Sequence, residues 1–161
     1  RAVLAALEAH VVDRHCLFGT RPSLAEFGIF GQLSQLGTDP TPQAMMRADY
    51  PYTYRWLAHV DDMSGVEGAW EPGFAPVVRE LVRIAGEVYV PFLRANELAA
   101  EAGEATFRME AMGLPYAQGT FKYQLKCLRE LRTRYAMLQG AARTAADAVL
   151  GTGWLGLLDR A

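Results

Sequence analysis

Three histidines, two cysteines and a tyrosine–asparagine pair astride a proline are the first side chains to weigh for chemistry in this 161-residue chain. His10 and His15 are five residues apart, whereas a helical zinc pair needs i, i+4 spacing to put both rings on one face. With His59 close to Asp61 and Asp62, they read as surface or loop histidines rather than metal ligands. Cys16 and Cys127 stand in no C-x-x-C arrangement, which excludes a disulfide framework and a four-cysteine zinc site. Cations beside a thiol favour the thiolate, and Cys127 has Lys126 before it and Arg129 after it. It also adjoins the inward position Leu128, and so reads as a small buried hydrophobe.

Two further groupings concern binding. Between Thr120 and Gln139 there are five cations, Lys122, Lys126, Arg129, Arg132 and Arg134, against one acid, Glu130. Lys122, Lys126 and Arg129 share a helical face, suited to an anion or an acidic partner surface, or else simply solvated. Tyr89, Leu93 and Asn96 share a face of a long helix that Pro91 interrupts. A phenol, an amide and a freed carbonyl beside apolar residues fit the border of a pocket, with Tyr123 and Lys126 on the following helix as neighbours. The other reading is a packed core in which Tyr89 and Asn96 bond internally. No P-loop, nucleophile elbow or dinucleotide fingerprint is present.

The elements that would position these groups are mostly helical. Val3, Leu4, Leu7 and Val11 recur at helical spacing, and this first helix is expected to end near His15. Ser23-Leu24-Ala25-Glu26 has the form of a capping box at the start of a second helix. Leu24, Phe27, Ile29, Phe30, Leu33 and Leu36 point all round that helix, which predicts burial on every side and a central place in the bundle. Gly28 and Gly31 suggest close approach by neighbours. A break at residues 38–42 precedes a short helix near Gln43–Ala48 and another from Tyr52 to Met63, followed by an acidic loop to Glu71. A long helix from Ala75 to Ala102 is expected to kink at Pro91. The alternation Thr106–Ala111, then Gly113 and Leu114-Pro115-Tyr116, predicts a small hairpin. A basic helix follows, then a helix from Ala141 to Leu150 stopped at Gly151. The tail from Trp154 to Leu158 is too apolar to stay in water.

At 51% hydrophobic and 21% charged, with a formal net charge of −2, the chain can bury a core. It lacks the basic balance of an indiscriminate nucleic-acid binder. Its longest uncharged apolar stretch, 27–38, is far short of the roughly 20 residues of a membrane span. These features predict one helical domain over residues 1–161, with reduced thiols, in the cytoplasm. Arg1 leads into an apolar helix with no cap ahead of it, as expected of a piece of a longer protein.

The stretch LFGTRPSLAEFGIFGQLSQ, residues 17–35, resembles the core of the glutathione transferase C-terminal domain. Gly19, Ser23, Ala25 and Glu26 match that family's turn and capping box, Glu26 standing where the family usually has Asp. DPTPQAMMRADYPYTYRWLAHV is similar to the segment that follows. VYVPFLRANE and FKYQLKCLRELR look like parts of a narrower set of bacterial transferase-like proteins with an extended C-terminal half. The resemblance implies an all-α bundle of that type with one β-hairpin. It also implies a thioredoxin-like domain upstream, which would bind glutathione and activate its thiol, so no catalytic residue carries over to this chain. What remains is the side of the cleft that receives an apolar electrophilic co-substrate, with Tyr89, Asn96, Tyr123 and Lys126 as candidate residues, and part of a homodimer interface. No metal, nucleic acid or membrane is implied. The alternative is a non-catalytic helical interaction domain of the same fold.

Overall fold

Local signals set where each helix begins. In the computed structural model, which describes residues 1–159, α1 covers Ala2–Val11, α2 Leu24–Thr38, α3 Pro40–Asp49 and α4 Pro51–Asp61. Then come α5, Pro76–Glu101, strands β1, Thr106–Ala111, and β2, Leu114–Gly119, and helices α6, Lys122–Ala136, and α7, Gly140–Leu158. The chain is thus mostly helical with one antiparallel hairpin. It forms two compact units, Arg1–Leu81 and a second from Val82 onward, with the boundary inside α5.

In the first unit, Pro40 and Pro51 open α3 and α4, where their missing N–H groups cost nothing. Asp39 ends α2 and caps α3, accepting the Thr41 N–H at 3.0 Å. Tyr50 gives α4 no side-chain cap. Glu8 of α1 replaces it: its carboxylate accepts the N–H groups of Tyr52 and Thr53 at 3.0 and 2.8 Å and the Thr53 hydroxyl at 2.7 Å.

The capping box at α2 is present and does more than cap. Glu26 is fully buried. Its Oε2 accepts the Ser23 N–H at 2.7 Å and the Ser23 hydroxyl at 2.5 Å, while Oε1 accepts the Leu17 N–H at 2.5 Å. One carboxylate therefore fixes both ends of the turn before α2. Gly19 in that turn has φ +142°, and a Cβ there would collide with the Ala69 carbonyl. The close approach is the bridge to Trp70, flanked by Thr20 N–H to Ala69 O at 3.0 Å and Glu71 N–H to Phe18 O at 2.9 Å. It pins down the end of the acidic loop.

The central helix of this unit is α4, a correction to the expectation for α2. Helix α4 packs on α1, α2 and α3 and buries Thr53, Trp56, Leu57 and Val60. Helix α2 buries only Glu26 and Leu33, while Leu24 is 85% and Phe27 45% exposed. An apolar residue is buried only where a neighbour meets it, and α3 and α4 reach one side of α2. Gly28 and Gly31 face open space rather than a neighbouring backbone. Helix α1 also stops earlier than expected, at Val11.

In the second unit, α5 runs on through Pro91 as one continuous helical segment. Val90 and Leu93 form a core with Leu128 and Tyr135 of α6 and with Trp154, Leu157 and Leu158. The apolar tail is thus packed inward as expected, but as a continuation of α7 beyond a break at Gly151 (φ +71°). Trp154 donates from Nε1 to the Val82 carbonyl at 3.1 Å. Arg132 grips Glu97 through two bonds of 2.5 and 3.0 Å and donates from Nε to the Leu157 carbonyl. The hairpin is closed by Met112 and Gly113, both with positive φ, as a two-residue primed turn requires.

Loss of the Glu26 carboxylate leaves the Leu17 and Ser23 N–H groups without their acceptor. Glu26→Ala should cost about 2–4 kcal/mol, against about 0.5–2 kcal/mol for the cap variant Ser23→Ala. Urea melts of the two variants measure the difference, and equal losses would contradict the double role of Glu26.

Candidate functional site

Two side chains of α5 tie down the start of α6. Asn96 is fully buried. Its Nδ2 donates to the Phe121 carbonyl at 3.1 Å, and its Oδ1 accepts the Phe121 N–H at 2.7 Å. One amide thereby satisfies both main-chain groups of the residue that precedes α6. Two turns earlier, Tyr89 donates its hydroxyl to Gln124 Oε1 at 2.6 Å. Leu93, on the same face, is buried in the core.

Tyr89 borders two cavities. One, of about 400 Å³, is a slot beneath the inner face of the hairpin, lined by Phe92, Met109, Tyr116, Phe121, Gln118 and Gln124 among others. The strand register puts Phe107 opposite Gln118 and Met109 opposite Tyr116, so these four share that inner face. Phe92 makes an edge contact with Phe107 at 5.3 Å, lies 6.3 Å from Tyr116 and stacks on Tyr89 at 6.0 Å. The other cavity, of about 440 Å³, runs along α6 past Tyr123, Lys126, Cys127, Glu130, Leu131 and Arg134. Arg134 is held by Glu130 at 2.7 Å. Burial pushes the Tyr89 phenol above its usual range, and its neighbours Cys127 and Tyr123 add to the shift. Tyr89 is thus a neutral, protonated wall between an aromatic slot and a basic groove.

Of the candidate residues, Tyr89, Tyr123 and Lys126 line one groove, and Cys127 lines it with them. Asn96 lines neither cavity, because both ends of its amide are taken by the Phe121 main chain. Ser23 and Glu26 lie in the first unit, as a structural cap. The sequence reading missed the slot's other wall. The alternation in β1 signalled an inward face, but which β2 residues join it depends on the turn, which sets the register.

The remaining chemistry-bearing groups are occupied elsewhere. Cys16 is buried, and burial followed by the nearby Glu26 carboxylate raises its thiol, which keeps it protonated. His10 Nε2 pairs with the Cys16 carbonyl at 3.0 Å, and the rings of His15 and His59 meet at 4.3 Å. Among the described residues, no three metal-ligating side chains cluster, and no helix is long and apolar enough to cross a membrane. The chain matches no family model, no curated protein and no solved structure.

Asn96→Leu should cost about 1–3 kcal/mol, since it leaves the Phe121 N–H without its acceptor while the carbonyl keeps the Gln124 N–H. A urea melt showing a loss under about 1 kcal/mol would place the anchoring of α6 elsewhere. A pH dependence follows from the phenols. Burial raises Tyr89, and burial with the Asp147 hydrogen bond raises Tyr135. The stabilisation they contribute is complete below the unfolded tyrosine value, about pH 10. It is lost as pH rises through their folded values. Urea midpoints should fall above about pH 10, less steeply in Tyr89→Phe than in the parent chain.

Proposed function

We propose that this chain is the helical half of a glutathione transferase-like protein, and that the cleft beside Tyr89 receives the apolar co-substrate. The observation that carries this reading is the aromatic slot: four rings, Tyr89, Phe92, Tyr116 and Phe121, converge on one cavity of small-molecule size. Apolar walls with two amides, Gln118 and Gln124, suit a flat, largely apolar ligand held by shape and a few polar contacts. The family part of the reading rests on residues 17–26, where Gly19 and the Ser23–Glu26 box make the turn and cap on which the resemblance is built. Glutathione and the group that activates its thiol belong, on this reading, to a thioredoxin-like domain outside these residues. A homodimer in the cytoplasm is part of the same proposal.

The second reading, a non-catalytic interaction domain of the same fold, draws on the exposed Leu24 and Phe27 of α2. The two differ in what they bind. On the first reading, the chain binds the neutral fluorophore N-phenyl-1-naphthylamine, an apolar glutathione conjugate displaces it, and Tyr116→Ser weakens it about tenfold through loss of ring contact. Unchanged binding in Tyr116→Ser, with the fold intact by circular dichroism, would refute the slot as the binding site. The chain by itself should conjugate no glutathione to a standard electrophile; turnover that survives removal of host transferases would overturn that expectation.

A further inference from the structure

Separately from the cleft, we infer that His15 and His59 together bind a divalent late transition-metal ion, such as Ni²⁺, Cu²⁺ or Zn²⁺, with water completing its shell. Spacing along the sequence set His10 against His15, but the fold sets His15 against His59 instead. Their ring centres lie 4.3 Å apart, with the rings tilted at 47°. His10 stands outside the pair, because its Nε2 is engaged by the Cys16 carbonyl at 3.0 Å. Both paired histidines are exposed, and among the described residues neither imidazole has a hydrogen bond or an ion pair. Their ring nitrogens are thus open to a ligand from solvent.

The pair is held in place through the main chain. His59 lies in the last turn of α4, three residues after Trp56. Trp56 is buried and donates its Nε1 to the His15 carbonyl at 2.8 Å. One turn of α4 therefore carries both the anchor of His15 and the ring that faces it. Cys16, the next residue, is buried, and its carbonyl is the one paired with His10. Two imidazoles sharing an ion, each nitrogen about 2.0–2.1 Å from it, bring those nitrogens about 3–3.5 Å apart. Rings with centres already 4.3 Å apart reach that separation by side-chain rotation alone.

The local field favours a cation. A helix C-terminus carries partial negative charge, and His59 is the basic residue of the last turn of α4. Asp61 and Asp62 follow it, and neither has an ion-pair partner among the described residues. Such charge raises the local concentration of cations. Imidazole nitrogen then selects late first-row ions over Mg²⁺ and Ca²⁺, which take oxygen ligands. A bound ion ties the turn after α1 to the end of α4, and so binds the folded chain in preference to the unfolded one.

Calorimetric titration of the 161-residue chain with NiCl₂ tests the pair, with MgCl₂ as the control. One Ni²⁺ per chain should bind, and Mg²⁺ should not. His15→Asn and His59→Asn should each weaken Ni²⁺ about tenfold or more, since each leaves one ligand of a two-point attachment. For the same reason the double variant should lose little beyond either single one. Saturating Ni²⁺ should also raise the urea midpoint of the parent chain and not that of His15→Asn. The inference is overturned by absence of Ni²⁺ binding, by affinity unmoved in either single variant, or by a parent midpoint that Ni²⁺ does not raise. A stoichiometry of two, from which each variant removes one ion, would overturn it as well.

Discussion

The amide of Asn96 closing on the main chain of Phe121 is the constraint on which the second unit depends. A buried peptide group must find a partner or lose roughly the worth of a hydrogen bond. Phe121 lies between the end of the hairpin and the start of α6; its carbonyl accepts the Gln124 N–H at 3.1 Å, but neither ladder nor helix supplies an acceptor for its N–H. Asn96 supplies that acceptor from α5 and adds a second donor to the carbonyl. The start of α6 is thereby held against α5, close enough for the Tyr89 hydroxyl to reach Gln124. Everything that lines the cleft follows: β2 ends just ahead of Phe121, and Tyr123 and Lys126 fall within the first turns after it. An asparagine that touches no cavity thus decides where the cavities are.

The first unit uses the same device with carboxylates. Glu26 joins Leu17, Ser23 and α2 through three short bonds, and Glu8 caps α4 from a different helix. In each case a polar side chain serves main-chain groups that secondary structure leaves open. Among the described residues, no buried side-chain nitrogen or oxygen lacks a partner. The polar groups in the interior act as fasteners.

How much of this was legible in the sequence depended on the range of each interaction. The Ser23–Glu26 box was legible because both partners lie within one turn, and the hairpin because alternation over six residues is local. The third bond of Glu26, to Leu17, follows from the turn's path and needed the fold. Glu8 reaches Thr53 across 45 residues, and Asn96 reaches Phe121 across 25, with no periodicity to announce either pair. Tyr89 and Asn96 were correctly set on one face, but spacing cannot say which of two side chains meets a cavity and which meets a peptide group. Helix α2 misled because hydropathy registers how apolar a surface is, not whether anything covers it. Lys126 stood out in the sequence as part of a stripe; that it alone of the three cations lines the groove is a matter of helix rotation.

The central claim is that the aromatic slot beside Tyr89, beneath the hairpin, is the ligand site proposed for this chain. An amide-resolved NMR titration of the 161-residue chain with N-phenyl-1-naphthylamine tests it most directly. Saturable shift changes concentrated at Tyr89, Phe92, Tyr116 and Phe121 are the predicted result. Changes concentrated instead along α2, at Leu24, Phe27 and Gly28, with the Tyr89 cleft silent, would contradict it.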